Sequence, residues 1–391
     1  MTRKPIRNLS LTLLTASALL AASALMTACD QKDLVMPDGP LPPSDKVPLQ
    51  LTSGISTTRS VTRAHDTSWD AGDQIGVFTT VAGSGSGDAN PFVYTKSGSS
   101  YDANIAYKIT TDEQTLDGST HVYKSFLPST EGKLIYLPAD GSDVDVYAYY
   151  PYSAAVWPEN ATAPSPLDIT IPASQTLENQ KTTDVLKAKA LSSTSTIDID
   201  HTTAHLLFEH VLSKVIIIVK YDTGYSYDDI SGRVAVQITG QPVSATFAPI
   251  TQALTITDSS TPITPCEITG NTDPDNAVLS GEKVVCAYRA LLLPNLPNGT
   301  SQNPATDTDR KIIFTVGDKT EGAVTTTYIF DLSNNNTPAV GETPAGNPNI
   351  FEAGKVTVFT LKLAATGITI EAAIQPWTIE TVSPEPIYED S

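Results

Sequence analysis

Apolar and polar residues alternate along short stretches of most of the chain. Val47, Leu49 and Leu51 alternate with proline or polar residues, the run from Val144 to Tyr150 begins with the same alternation, and Gln74–Val81 is a further strand-like stretch. A period of two predicts β-strands with one buried face. Similar stretches occupy residues 133–137, 206–220, 233–239, 244–247, 253–257, 282–293, 311–316, 325–332, 355–363 and 368–374.

Helical patterns are rare, and turn-forming residues separate the strands as in β-sandwiches. Residues 177–190 indicate one short helix or an irregular crossing. The chain has 391 residues, which is long for one domain, and a Ser/Thr-rich patch at 191–196 predicts a boundary. We therefore expect an all-β fold with minor helix, with an N-terminal β-sandwich domain at 47–196 and a C-terminal one at 197–391.

Charge narrows the classes of partner. The formal net charge is −19, which disfavours binding to nucleic acid. Only 17% of the residues are charged while 40% are hydrophobic, so the chain has enough apolar material for packed cores and is not a disordered polyanion. The acidity predicts that free chains stay soluble and repel one another.

The first residues indicate export. Basic residues precede an apolar stretch at Leu9–Met26 that is typical of a signal peptide. It ends in LMTAC, which resembles the lipobox in which the cysteine of a bacterial lipoprotein is acylated, here Cys29. Residues 1–28 are then the signal peptide and residues 29–46 a Pro-rich tether held to a membrane by lipid. An ordinary signal peptide that happens to contain a cysteine is the alternative.

Candidate chemistry is sparse. The Gly-rich loop at 83–87 fits neither a nucleophile elbow nor a dinucleotide fingerprint. His201 and His205 lie four residues apart, but they adjoin a predicted strand, which disfavours a metal site. We expect no enzyme, no cofactor and no metal. Cys266 and Cys286 form a disulfide in an exported chain or stay separate thiols, and the sequence leaves both open.

Aromatic residues crowd the segment VYAYYPYSAAVW at 146–157. Exposed aromatics of this kind stack on sugars, which would make the protein a surface glycan-binding lipoprotein with Tyr150 and Trp157 as contacts. The run begins with strict strand alternation, however, and that favours packing of a strand and its following corner.

Five stretches resemble the fimbrillin family, the lipoprotein subunits (type V pilins) of surface pili in Bacteroides-type bacteria. They are TSWDAGDQIGVF at 67–78, VYAYYPY at 146–152, IPASQ at 171–175 followed by DVLKA at 184–188, LFEHVLSKV at 207–215, and GKV at 354–356 through IQPW at 374–377. The short sequence QKD just after Cys29 also resembles the surface-export signal of such lipoproteins. The resemblance implies two transthyretin-like β-sandwich domains and no catalysis.

The resemblance also implies a route of assembly. An outer-membrane lipoprotein precursor reaches the cell surface, an Arg-specific protease removes its first strand, and a C-terminal strand of another subunit fills the groove. Because the contact is head-to-tail and does not close, it builds a filament. Here the removable strand would be Val47–Ser56, with Arg59 and Arg63 as cleavage candidates. The donor would be Ile368–Ile374 or Trp377–Tyr388.

Several alternatives stay open at this point. Arg59 and Arg63 are also explained as two surface arginines that are never processed. Pro376, Pro384 and Pro386 limit the hydrogen bonding of a C-terminal donor. The chain could therefore be a stalk subunit that pairs with its own copies, or a tip or anchor subunit that pairs with other fimbrial subunits.

Overall fold

A computed structural model describes most of the chain beyond the tether. The described residues are 46–55, 69–84, 92–93, 95–97, 100–115, 122–159, 161–191, 194, 196–270, 273–294, 310–317, 325–332, 351–364 and 367–376. Within these ranges regular structure is almost all β, and the helices are short. The expected all-β class with minor helix is therefore confirmed.

Many predicted strands coincide with observed ones. The strands are β1 (Gln50–Ile55), β2 (Gln74–Val81), β3 (Thr95–Ser97), β4 (Ser100–Asp102), β5 (Ile105–Thr115), β6 (Val122–Pro128), β7 (Val144–Tyr150), β8 (Leu167–Thr170), β9 (Leu186–Ala190), β10 (Thr203–His210), β11 (Ser213–Tyr221), β12 (Val234–Thr239), β13 (Pro242–Ala248), β14 (Ala253–Ser260), β15 (Cys266–Glu267), β16 (Val284–Leu292), β17 (Lys311–Val316), β18 (Thr326–Asp331), β19 (Lys355–Ala364) and β20 (Gly367–Pro376). The helices are α1 (Leu177–Thr183) and α2 (Tyr227–Ile230), and 3₁₀ turns lie at Ala154–Val156 and Asn276–Ser280. β2, β7 and β17 match their predictions at both ends.

Reciprocal capping explains the start of α1. The Thr176 hydroxyl accepts a hydrogen bond from the backbone N–H of Asn179, and Asn179 Oδ1 accepts one from the backbone N–H of Thr176. Glu178 in the first turn and Lys181 in the last complement the helix dipole. Of the two alternatives for residues 177–190, the short helix is confirmed at Leu177–Thr183, whereas Leu186–Ala190 forms β9, a strand that the pattern did not predict.

Seven strands close into a barrel in the order β1-β10-β9-β7-β2-β5-β6. Every neighbouring pair is antiparallel except β1 and β10, which run parallel. The inward side chains form one apolar core whose members include Leu51, Val77, Phe126, Leu206 and Phe208. Because the sheet closes on itself, the barrel has no free edge.

The later elements form three more sheets around a second core. One has five strands in the order β15-β16-β11-β19-β20, and two have three strands, β12-β17-β18 and β14-β13-β8. β11 lies at the centre of the larger sheet between antiparallel β16 and parallel β19. Its nearly continuous apolar run, SKVIIIVKY, suits a strand that is buried on both faces.

Residues 206–220 form two strands where the pattern predicted one. β10 ends at His210 and β11 begins at Ser213, with Val211 and Leu212 buried between them. β10 belongs to the barrel and β11 to the five-stranded sheet, so the chain changes sheets here. β10 lies beyond residue 196, where we expect the domain boundary. The division into two domains stays a prediction.

Candidate functional site

The first strand occupies an internal position in the barrel. β1 pairs in parallel with β10, with Gln50 opposite Thr203, and antiparallel with β6, with Leu51 opposite Phe126. Just before β1, the Leu49 amide donates to the Ile135 carbonyl at 2.9 Å. Both edges of the strand are therefore engaged, so its loss would open two hydrogen-bonded ladders.

The inward face of β1 has a definite size pattern. Leu49 and Leu51 are each 2% exposed and belong to the barrel core, whereas the next inward position is the small Ser53, which is fully buried. Among the described residues the Ser53 hydroxyl has no hydrogen-bond partner. Burying one leucine side chain stabilises a fold by roughly 1.5–3 kcal/mol. Removal of this strand would thus expose two large apolar pockets and one small one.

The outward face of β1 carries a polar contact to β10. The Thr52 hydroxyl and His205 Nδ1 share a hydrogen bond at 2.6 Å, and the two residues are register partners. Burial lowers the pKa of His205 below its ordinary value. The imidazole therefore faces β1 mainly in its neutral form near pH 7.

Trp69 packs between the two neighbours of β1. Its ring meets Phe126 of β6 and Phe208 of β10 edge-on, with centroids 5.4 and 5.0 Å apart. Tyr150 packs on its other side at 5.5 Å. Trp69 therefore connects the two strands that flank β1, and it follows both Arg59 and Arg63 in sequence.

Two glycines explain a further part of the motif TSWDAGDQIGVF at 67–78, to which Trp69 also belongs. Gly72 has φ 96°, a left-handed turn conformation that favours glycine, and it lets the Asp70 amide donate to Asp73 Oδ2 at 2.7 Å. A Cβ on Gly76 would come within 2.2 Å of the Tyr149 ring. The Gly-Asp-x-Ile-Gly sequence therefore builds the entry to β2 and its close packing on β7.

The tyrosine-rich segment is part of the interior. Tyr149 is fully buried and Trp157 is 7% exposed. Half-buried Tyr150 donates a hydrogen bond to Asp73 Oδ1 at 3.1 Å and packs on Trp69. The packing interpretation is confirmed, and the glycan-contact role considered for Trp157 is wrong because its ring is not available to a sugar.

The last described strand lies at a sheet edge. β20 pairs antiparallel with β19 from Gly367 opposite Ala364 to Pro376 opposite Lys355. No other described strand pairs with it. Ile370 and Ala372 pack on the second core as partly buried residues. Donor candidate Ile368–Ile374 is thus already part of its own sheet.

The remaining predicted site residues divide into two groups. Cys29, Arg59, Arg63 and the donor candidate Trp377–Tyr388 lie outside the described residues. The predicted signal peptide and tether lie outside them as well. No described helix is long and apolar enough to cross a membrane. Within the same ranges no group of His, Cys, Asp and Glu could hold a metal ion.

The two cysteines are free thiols in the structure. Cys266 of β15 lies opposite Arg289 of β16. Cys286 is three residues before Arg289 on the same strand, and it lies opposite Val219 of β11. Three residues of strand separate the cysteines by about 10 Å, whereas a disulfide needs Cα atoms within about 7 Å. An odd spacing also places them on opposite faces. Burial raises the pKa of Cys286 to about 11, which disfavours its reactive thiolate form near pH 7.

Sequence reasoning missed a buried charge cluster in the second core. Lys214 of β11 contacts Asp275 at 2.8 Å, and Arg289 of β16 contacts Asp273 at 2.9 Å and also bonds Asp275. All four side chains are at least 93% buried. The two cations balance the two carboxylates. The available signal was a single charged residue inside each of the apolar runs SKVIIIV and CAYRALL.

Two glutamines connect this cluster to the segment around α1. Gln175 Oε1 accepts from the Leu291 amide and its Nε2 donates to the Leu291 carbonyl, both at 2.8 Å. Gln180 Oε1 accepts from Arg289 Nε at 2.7 Å. β15 is only two residues long, so the Gln175 amide substitutes for a neighbouring strand on β16. This gives the IPASQ motif a structural role.

Solved structures share this fold. A proposed cell adhesion protein from Bacteroides uniformis superposes with a TM-score of 0.54 and 22% identity, over 86% of this chain and 100% of that one. A second one, from Bacteroides ovatus, has a TM-score of 0.52 and 18% identity, over 86% of this chain and 99% of that one. At these identities the likeness establishes the fold class.

A family model described as fimbrillin-like matches residues 62–377. The chain therefore belongs to the fimbrillin-like family, and the resemblance drawn from its motifs is confirmed. A similar sequence is the proposed fimbrium subunit Fim1C of Bacteroides uniformis, which is 27% identical over 364 residues. That alignment covers 92% of this chain and 93% of the relative.

Proposed function

We propose that this protein is a structural subunit of a cell-surface fimbria that polymerises by β-strand exchange and supports adhesion. The observation that carries the proposal is the place of β1. It is short, it lies between β10 and β6, and its Leu51, together with Leu49 just before it, is buried in the core of a closed barrel. Two arginines follow it in sequence, at positions 59 and 63.

Removal of β1 would create a specific acceptor. β10 and β6 would each lose a ladder of backbone hydrogen bonds, and the core would lose two buried leucines. Unpaired strand edges that flank apolar pockets bind an extended strand from another chain. Trp69, which contacts both walls, supports the groove until that strand arrives.

The finer parts of the proposal come from the sequence and the family. Cys29 carries the lipid of an outer-membrane lipoprotein that is exported to the cell surface. An Arg-specific protease cuts after Arg59 or Arg63, and the two halves of the chain act as transthyretin-like domains. The subunit then joins copies of itself or other fimbrial subunits, and it has no catalytic role.

Purified precursor treated with an Arg-specific protease tests this function. We expect cleavage after Arg59 or Arg63, heat-labile ladders that resist detergent, and filaments in electron micrographs. The double variant R59A/R63A should stay monomeric, whereas R233K, which leaves both cleavage candidates in place, should assemble normally. Cleavage at either arginine without any assembly would contradict a stalk role. A precursor that resists the protease and keeps its lipid would instead fit an anchor subunit.

A further inference from the structure

β18 is an edge strand of the sheet β12-β17-β18, and no described strand pairs with its far side. It pairs with β17 at six consecutive positions, from Thr326 to Asp331, without a register shift. Its sequence, TTYIFD, is rich in β-branched and aromatic residues, contains no proline and has one charged residue, at its end. A regular and nearly uncharged edge strand is a template for pairing with another chain.

The other edges of the described sheets are better protected. β3, β4 and β15 have two or three residues each, and β8 has four and follows Pro166. β20 contains Glu371 and ends at Pro376, and β14 has a register shift against β13. β12 is covered at Ile238, which exchanges two backbone hydrogen bonds with Ile263. Short length, charge, proline and bulges all discourage edge pairing, so β18 is the least protected of the described edges.

Ile329 gives this edge an apolar surface. Its side chain is 62% exposed, more than any other large apolar side chain in the described part of the chain. Its register partner on β17, Ile313, lies on the same face and is half-buried. Tyr328 and Phe330, on the opposite face, are partly buried against the second core. A further strand beside β18 would therefore cover an isoleucine that now lies in water.

The backbone hydrogen bonds decide which residues of β18 can pair on the open side. The Leu332 amide donates to the Arg310 carbonyl at 2.8 Å. Hydrogen-bonded and non-hydrogen-bonded pairs alternate along an antiparallel ladder, so every second residue before Leu332 bonds β17. Thr327, Ile329 and Asp331 therefore direct their backbone N–H and C=O groups to the open side.

We propose that β18 pairs antiparallel with β18 of a second copy, about a two-fold axis at Ile329. The two three-stranded sheets then become one sheet of six strands. Ile329 lies opposite its own counterpart, Tyr328 lies opposite Phe330, and Thr327 lies opposite Asp331. The contact itself does not need strand exchange. Its role rests on the proposed function, because it holds neighbouring fimbriae side by side.

A second copy is the partner because β18 is complementary to itself. In this register isoleucine meets isoleucine on one face, and aromatic residues meet on the other. Cross-strand pairs of this kind are stabilising, whereas like charges directly opposite are destabilising, and here no aspartate lies opposite another. The chain has a net charge of −19, so copies repel one another over most of their surface. A nearly uncharged edge is where such copies can approach.

The contact is weak between free subunits and strong between filaments. A strand of six residues spans about 20 Å, and two such edges bury less than the about 1,200 Å² that a stable dimer needs. Repetition of the contact along two filaments increases its avidity without any new contact. β18 packs on the second core and lies outside the barrel, so its edge is open whether or not β1 is in place.

Disulfide trapping in the uncleaved full-length chain tests the contact without strand exchange. In a C29S/C266S background, I329C places two thiols opposite each other, within the Cα separation that a disulfide requires. Oxidation at high protein concentration should give several times more covalent dimer than V81C, a position that is also exposed but belongs to the barrel.

Two further cysteine variants fix the register. I313C lies on the same face one strand farther from the edge, so it should give no more dimer than V81C. T327C should give less dimer than I329C. Equal yields from I329C and V81C would overturn the contact, and a yield that is highest with T327C would overturn the register.

Charge at position 327 provides a second measure of the register. Thr327→Asp places an aspartate opposite Asp331 of the second copy, whereas Thr327→Lys places a lysine there. In the I329C chain the aspartate should lower the yield of dimer about fivefold, the scale of an unfavourable cross-strand pair, and the lysine should raise it. Thr327 is exposed, so both variants should fold, which circular dichroism checks. Equal yields would overturn the pairing of Thr327 with Asp331.

Electron microscopy of protease-treated protein tests the role in fimbriae. Filaments of the parent should lie side by side, whereas those of I329K should stay single because a lysine on an edge strand blocks pairing. Q237K adds the same charge on β12, at an exposed position of the same sheet, and should leave the bundles intact. Single filaments in the parent would overturn the lateral role. If no filaments form while I329C still traps a dimer, strand exchange fails and the contact stands.

Discussion

β1 and β20, the first and last strands described, are held in opposite ways. β1 has six residues and neighbours on both sides, whereas β20 has ten residues and one neighbour among the described strands. Leu51 of β1 is 2% exposed in the barrel core, while Ile370 of β20 is only partly buried. Per residue, a strand that is paired on both sides contributes more backbone hydrogen bonds and more buried apolar surface to stability than an edge strand does. It also leaves a more selective vacancy.

The difference decides what the removal of each strand would do to its sheet. Removal of an edge strand shortens a sheet, but removal of β1 opens a closed barrel and creates two edges at once. Under the proposed strand exchange, β1 would therefore leave a vacancy that only a matching strand could fill.

The largest effect on stability should come from a charge at the centre of β1. Leu51→Asp buries a carboxylate in an apolar core and should lower the free energy of unfolding of the precursor by about 4 kcal/mol or more. Urea denaturation of the uncleaved precursor measures this. The control Gln50→Asp, at a half-buried outward position, should cost less than about 1 kcal/mol. Similar losses in the two variants would mean that β1 is not internal.

A buried charge supports the sheet of β20. Asp275→Asn leaves Lys214 without its carboxylate and should cost about 3–5 kcal/mol. Burial raises the pKa of Asp275, but Lys214 and Arg289 outweigh that effect and hold it below its usual range. The carboxylate therefore stabilises the fold above about pH 4, and this contribution is lost as the pH falls further.

Acid denaturation followed by near-UV circular dichroism tests the assignment. The parent should lose stability below about pH 4, and Asp275→Asn should show a shallower dependence on pH there. An unchanged acid profile would contradict the buried pairing with Lys214.

Truncations compare the two strands directly. Leu51→Ala should cost about 3 kcal/mol in the precursor, whereas Ile370→Ala should cost about 1 kcal/mol because its site is only partly buried. After cleavage and release of β1, the Leu51 variant should no longer differ from the parent. The Ile370 variant should keep its deficit. A deficit of the Leu51 variant that persists in the cleaved subunit would show that β1 stays in place.

The smallest expected effect concerns the hydrogen bond between Thr52 of β1 and His205 of β10. Thr52→Val keeps the shape of the side chain but removes the hydroxyl that bonds His205, and should cost about 1 kcal/mol. Thermal denaturation of the precursor measures the change. Thr369→Val, at an exposed position of β20, is the matched control and should be nearly neutral.

The sequence predicted the bounds of a strand well where apolar, β-branched and aromatic residues dominate the stretch. β2, β7 and β17 are rich in β-branched and aromatic residues and matched their predictions at both ends. β5 and β6 went unrecognised because polar residues occupy many of their positions, as in IAYKITTDEQT. The stretch at 206–220 read as one strand since Val211 and Leu212, where the chain changes sheets, are as apolar as their neighbours.

The pattern of apolar and polar residues does not encode contacts between residues that are far apart in sequence. The parallel pairing of Thr52 with His205 joins residues 153 apart in sequence, and no local spacing encodes it. The charge cluster around Arg289 was equally hidden, since its partners come from separate segments. The importance of Val47–Ser56 came from family resemblance, and its internal position in the barrel came from the structure.

Hydrogen–deuterium exchange at the two walls of the groove tests the central claim most directly. Amides of residues 203–208 on β10 and 124–126 on β6 should exchange slowly in the precursor, because β1 covers them. They should exchange fast in the cleaved, unassembled subunit and slowly again in the filament. Protection that does not change after cleavage would contradict the claim that β1 is the strand that another copy replaces.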